Sequence, residues 1–161
     1  DYELVIGEKV AFLIDKGKPL TVTDPKMTRF MLTLTESVEL VLTALEKGVG
    51  GEVFVRQMPA HTVGDLIDVF KKTFSENNIK VTPIGIRPGE KMHETLISSS
   101  ESSRTVQLKN YYIVLPQIPI PKIENKYKAF KRLGDFRYSS DTTRRMTKSE
   151  LQGVLKKEGW I

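Results

Sequence analysis

The chain has 161 residues, a hydrophobic content of 39% and a formal net charge of +5. That length suits one domain with enough apolar content to close a core, and no run of ~18 apolar residues is present to span a bilayer. The absence of cysteine excludes disulfides, thiolate metal sites and a cysteine nucleophile. It agrees with a reducing cytosol, and with no charged-then-apolar leader in view a cytoplasmic location is expected.

Val5, Ile6, Val10, Leu13 and Ile14 recur near helical spacing and predict an amphipathic helix over about residues 3–16, ended by Gly17 and Pro19. Leu20-Thr21-Val22-Thr23 is a short strand candidate, Asp24-Pro25 a turn, and Phe30-Met31-Leu32 a further extended stretch. Thr35-Glu36 opens a helix whose Val38, Val41, Leu42 and Leu45 fall at i, i+3, i+4 and i+7, and Gly48 stops it. Glu52-Val53-Phe54-Val55 reads as a strand. Thr62 then caps a helix with Asp65 near the positive end of its dipole, and Val63, Leu66, Ile67, Phe70 and Phe74 form its buried stripe. Residues 79–86 follow the Asn77-Asn78 turn as another strand. Strand and helix thus alternate from 52 to 86, which predicts a βαβ unit with parallel strands and a right-handed crossover.

Residues 97–105 are rich in serine and are expected to form a mobile loop. Tyr111-Tyr112-Ile113-Val114-Leu115 predicts a strand that Pro116, Pro119 and Pro121 cannot continue. Residues 116–146 are irregular and basic, and the capping box Thr147-Lys148-Ser149-Glu150 opens a final helix over 147–158 with Leu151, Val154 and Leu155 inside. No repeat and no clear boundary divides the chain. The expected fold is α/β, a single small lobe over 1–161 with short, partly parallel strands and about four main helices, the first nine residues being an atypical lead-in.

Lys122, Lys126, Lys128, Lys131, Arg132, Arg137, Arg144, Arg145 and Lys148 crowd the last third, so an anionic partner is favoured. No RNA-binding aromatic signature, zinc-finger spacing or helix-turn-helix accompanies them, which argues against nucleic acid. Complete catalytic sets are missing. His93-Glu94 starts like a zinc-protease helix, but Ile97 stands where the second histidine belongs. Gly48-Val49-Gly50-Gly51 lacks dinucleotide-loop spacing and follows a helix. Tyr127 and Lys131 match Y-x-x-x-K without the partner serine or threonine upstream. No catalytic, cofactor-binding or metal-ligating residue is therefore assigned.

The turn Arg87-Pro88-Gly89-Glu90 carries more. Pro88 fixes its own φ and Gly89 takes angles closed to other residues, so Arg87 and Glu90 are thrown off the end of the preceding strand. A guanidinium binds phosphate bidentately, and a nearby carboxylate accepts from sugar hydroxyls, which suits a nucleotide. The same spacing is also that of a solvated turn whose Arg87 and Glu90 pair with each other.

Two blocks carry a resemblance: Gly17-Lys18-Pro19-Leu20-Thr21-Val22-Thr23-Asp24-Pro25-Lys26-Met27-Thr28-Arg29-Phe30, and Arg87-Pro88-Gly89-Glu90-Lys91-Met92-His93-Glu94-Thr95-Leu96. Gly50-Gly51-Glu52-Val53-Phe54-Val55 with Met58-Pro59-Ala60, and Tyr138-Ser139-Ser140-Asp141-Thr142, add to it. In this order they resemble the C-terminal part of the polysaccharide-biosynthesis nucleotide-sugar dehydratases, extended short-chain dehydrogenase/reductases, nearest to UDP-N-acetylglucosamine 4,6-dehydratase/5-epimerase. The resemblance implies that Arg29 and Arg87 bind the nucleotide diphosphate and that Glu90 contacts the ribose. It implies a UDP-amino sugar as ligand and NAD(P) held by an N-terminal Rossmann domain, which this chain lacks, in an enzyme that is a homo-oligomer when intact. The implied reaction is oxidation at the sugar 4-hydroxyl, loss of water across C5 and C6 and return of hydride to C6, with C5 inversion open. The chain alone is then expected to be inactive. Asp1 to Lys9 depart from the family's pattern, which leaves base recognition without a residue. A non-catalytic domain whose basic tail docks an acidic partner, and a lobe of a related epimerase or reductase, are the competing readings.

Overall fold

The computed structural model describes residues 13–14, 16–74 and 79–161. The helix expected over 3–16 lies outside them except for Leu13 and Ile14, which are helical, and Lys16, which is in a turn, and the Asn77-Asn78 turn lies outside them altogether. In chain order the elements are β1 (Leu20–Val22), β2 (Thr28–Phe30), α1 (Leu34–Lys47), β3 (Val53–Arg56), β4 (Ala60–Thr62), α2 (Val63–Thr73), β5 (Val81–Pro83), β6 (Thr95–Ile97), α3 (Ser99–Ser102), β7 (Thr105–Leu108), β8 (Tyr111–Val114), α4 (Pro121–Tyr127), β9 (Tyr138–Ser139) and α5 (Lys148–Lys157). The fold is α/β, with short strands of which one pair is parallel. No helix among the described residues is long and apolar enough to cross a membrane.

The chain forms two compact units, one from Asp1–Phe30, Ala60–Glu94 and Arg144–Ile161, the other from Met31–Pro59 and Thr95–Thr143. Neither unit is a continuous stretch. That is why the sequence offers no linker between them.

In the first unit, Gly17 takes φ +60 and closes the preceding helical turn. Its amide donates to Ile14 O and that of Lys18 to Leu13 O, the crossed pair that satisfies a helix's last carbonyls. β1 pairs with β5 in parallel, Leu20 opposite Val81, and β2 pairs with β4 antiparallel, Arg29 opposite His61. The Thr62 hydroxyl accepts from the Asp65 amide and caps α2, whose Leu66, Ile67, Val69 and Phe70 are buried. Against it lies α5, closed by the Thr147/Glu150 capping box and burying Leu151 and Leu155. Gln152 Nε2 reaches Thr73 Oγ1 at 3.4 Å across this helix pair.

The second unit is built on the antiparallel sheet β3-β8-β7. Lys109, at φ +50, makes the β7–β8 hairpin turn. Val106, Ile113, Leu115, Ile123 and Tyr127 form its core, with α4 started by Pro121 at a position where a missing N–H costs nothing. The Thr33/Glu36 capping box opens α1, whose Thr43 hydroxyl lies 3.3 Å from that of Tyr111. Arg56 on β3 ties down the same helix through Glu36 at 3.1 Å and Glu39 at 3.0 Å. The apolar stripe of α1 nevertheless faces outward: Leu34, Val38, Val41, Leu42 and Leu45 are 51–76% exposed.

Four expectations need correction. β3 and β5 do not form a βαβ unit: β3 pairs with β8 in one unit and β5 with β1 in the other. Alternation sets the order of element types but not the choice of partner, and β4 intervenes between the two. The strand expected over 79–86 is confined to Val81–Pro83, and the exposed stretch after it turns at Gly85 with φ +77. The serine-rich 97–105 stretch is not a loose loop. Ile97, Ser102 and Thr105 are buried, and Ser98 and Glu101 form a capping box on α3. The basic 116–146 stretch likewise contains α4 and β9.

Thr33 is buried, and its hydroxyl both caps α1 and bonds Glu36. Thr33→Ala is expected to cost about 1 kcal/mol, read in urea as a lower midpoint with an unchanged slope.

Candidate functional site

β2 carries Thr28 and Arg29, and its backbone is joined to the end of the Arg87–Leu96 block. The Thr28 amide donates to Met92 O at 2.9 Å, and Thr28 and His93 form a parallel bridge. The buried Thr28 hydroxyl lies 2.8 Å from His93 Nδ1. Arg29 is held in the same place: Nη1 donates to Thr28 O at 2.8 Å and to Met92 O at 3.4 Å, and Nε lies 3.6 Å from Glu94 Oε1. Its side chain keeps 26% of its surface exposed. The two sequence blocks therefore meet within the first unit.

Arg87 and Glu90 stand in the exposed turn beyond β5. The Arg87 amide donates to Glu90 Oε2 at 3.2 Å and the Glu90 amide to Arg87 O at 3.1 Å, with Gly89 at φ +87 making the bend. The pair is thus closed through the backbone. Among the described residues the Arg87 guanidinium forms no ion pair, with Glu90 or otherwise. The Thr28–His93 contact went unread in the sequence: nothing marks a threonine and a histidine 65 positions apart as partners.

His61 stands opposite Arg29 in register and is buried. Burial pushes its imidazole below the ordinary histidine value. The Thr62 carbonyl and Asp65 oppose that shift, while Arg145 and Arg29 add to it.

The remaining sequence motifs resolve as structure. Tyr127 is buried and ends α4, and its hydroxyl donates to Glu52 Oε1 at 3.2 Å. Burial and the Glu52 carboxylate push its pKa up to about 12, the reverse of what a catalytic tyrosine requires. Nor does the Gly48–Gly51 loop suit a dinucleotide phosphate. The Val49 and Gly50 amides already donate to the Glu52 carboxylate at 3.1 and 2.9 Å, so an anion there would meet a negative charge. Part of the basic last third is paired: Arg132 with Glu124, Arg137 with Asp141, Arg144 with Glu150, and Lys148 with Asp65 and Asp68. No cluster of three or more acidic, histidine or cysteine side chains among the described residues could hold a metal.

Residues 9–116 match the family described as "Polysaccharide biosynthesis protein", a span holding β2 and the whole Arg87–Leu96 block. This chain belongs to that family. Among relatives of this polysaccharide-biosynthesis chain are proteins named UDP-glucose 4-epimerase. Those of Rickettsia canadensis (strain McKiel) and Rickettsia prowazekii (strain Madrid E) are 36% and 35% identical over 148 residues, 88% of this chain and 42% of theirs. The X-ray structure of Pen from Bacillus thuringiensis superposes with a TM-score of 0.84 at 29% identity, over 99% of this chain and 46% of that one. The chain thus spans less than half the length of these relatives.

Two pH effects follow. A depressed His61 pKa makes the unfolded state bind more protons below its own value of about 6.5. Stability conferred by neutral His61 is therefore present above that pH and lost below it. Thermal melts at pH 7 and pH 5 are expected to show a drop that His61→Gln reduces. For Tyr127 the folded state retains the proton longer, so stability falls as pH rises from about 10 toward 12. Tyr127→Phe is expected to flatten that fall in chemical denaturation at pH 9 and pH 11.

Proposed function

We propose that this chain is the UDP-sugar-binding C-terminal lobe of a cytoplasmic nucleotide-sugar enzyme in surface-polysaccharide precursor synthesis, namely a 4,6-dehydratase acting on a UDP-amino sugar. One observation carries the reading. The strand bearing Arg29 is hydrogen-bonded to Met92 in the block bearing Arg87 and Glu90, and Arg29, Arg87 and Glu90 all belong to one compact unit. Arg29 and Arg87 bring two positive charges for a diphosphate of about two negative ones, and planar guanidiniums fix its direction. In this reading Glu90, whose Oε2 holds the turn, offers its other oxygen to the ribose.

The chain's work is positioning. Holding the sugar in one orientation can supply several kcal/mol of a barrier reduction. The glycine loop's engagement by Glu52 makes that loop unsuited to an NAD(P) phosphate, and the reading assigns the cofactor to an N-terminal Rossmann domain. The outward apolar stripe of α1 supports such a neighbour, since a row of that size is costly to leave in water. Homo-oligomeric assembly belongs to the intact enzyme in this reading.

A second reading, a UDP-sugar 4-epimerase lobe, is favoured by the names of the Rickettsia relatives. Product analysis of a full-length enzyme separates the two: a 4-keto-6-deoxy sugar supports the dehydratase and an unreduced 4-epimer the epimerase. A basic tail docking an acidic partner has less support, because Arg132, Arg137 and Arg144 are already paired with Glu124, Asp141 and Glu150.

Calorimetry with UDP tests the lobe itself. Arg29→Ala and Arg87→Ala are each expected to weaken binding by about tenfold or more, as befits loss of a charged hydrogen-bond donor. Indifference to UDP together with salt-sensitive polyanion binding would replace this reading with the tail. The chain alone is expected to turn over no UDP-N-acetylglucosamine.

A further inference from the structure

We infer that His93 is a positioning residue of the same anion site, its ring anchored through Nδ1 so that Nε2 bonds an oxygen of the ligand's diphosphate. This rests on the UDP-lobe reading and adds a residue to it. The anchor is the Thr28 hydroxyl, 2.8 Å from Nδ1 on a side chain only 2% exposed. The ring's backbone is also set, by the Thr28 amide on Met92 O at 2.9 Å and the Thr28–His93 bridge. A half-buried imidazole tied at ring and backbone loses little further freedom when a ligand arrives.

Its neighbour is the Arg29 guanidinium. Nη1 of that group donates to the carbonyls of Thr28 and Met92, the residue that anchors the ring and the residue just before it. Imidazole and guanidinium are therefore held by the same two stretches of chain. Glu94 steadies the guanidinium from its Nε side at 3.6 Å. Among the described residues His93 Nε2 makes no hydrogen bond. In this inference the Thr28 hydroxyl is the donor to Nδ1, which leaves the proton on Nε2 and makes that nitrogen a donor, as a phosphate oxygen requires.

The chain has two histidines, so the imidazole nitrogens can be followed directly. His61 is the internal control, being buried with Nδ1 beside the Thr62 carbonyl. In long-range proton–nitrogen spectra of the full chain, His93 is expected to carry its proton on Nε2. That signal should move on titration with UDP or inorganic pyrophosphate while His61 stays in place. His93→Ala should weaken UDP by about tenfold. His93→Gln, whose side-chain NH2 can stand in for Nε2–H, should recover part of the loss. Thr28→Val should lower the Nε2–H population and weaken UDP by less than tenfold.

If Arg29→Ala weakens UDP while His93→Ala leaves it unchanged, the role of His93 is overturned and the lobe reading stands. Should the unaltered chain ignore UDP, both fall. Were His93→Ala unable to fold, the spectra of the unaltered chain would decide: a His93 signal unmoved by saturating UDP overturns the inference.

Discussion

Backbone pairing of β2 with the Arg87–Leu96 block, including the hydrogen bond from the Thr28 amide to the Met92 carbonyl, brings together two blocks that lie 64 positions apart in the chain. Around it gather the Thr28 hydroxyl on His93 and the Arg29 guanidinium on two carbonyls. Each of these contacts needs the strand and the loop to be in register. A slip of one residue would turn Arg29 to the other face of its strand and separate Thr28 from the imidazole. The chemistry of the first unit is thus set by backbone pairing, and the side chains inherit their places from it.

Local signals were legible wherever physics within a few residues decides the outcome. The caps at Thr62 and Thr147, the end of a helical turn at Gly17 and the strand broken by Pro116 all rest on neighbouring atoms. Partner choice did not. β3 finds β8 and β5 finds β1 across long intervals, and the pattern of 52–86 contains nothing that names those partners. The serine-rich stretch misled because composition hides a capping box, while the alternating Thr105-Val106-Gln107-Leu108 before the Lys109-Asn110 turn held a hairpin signal that went unread.

For the site, motif order pointed to Arg29, Arg87 and Glu90, and the structure puts their segments in one unit. It also shows what spacing alone leaves open: Arg87 and Glu90 are joined through an amide rather than through opposite charges. Tyr127 shows the opposite case. Its spacing to Lys131 matches a catalytic pair, yet the ring is sealed in a core against a carboxylate. Burial decides between motif and coincidence there.

The interleaving of the two units has a consequence for synthesis. α5 supplies Leu151 and Leu155 to a unit whose β1 emerges from the ribosome more than a hundred residues earlier. β1 must therefore wait, without those contacts, until α5 has been made. Closure of that unit is long-range, and it is the slow step of its folding.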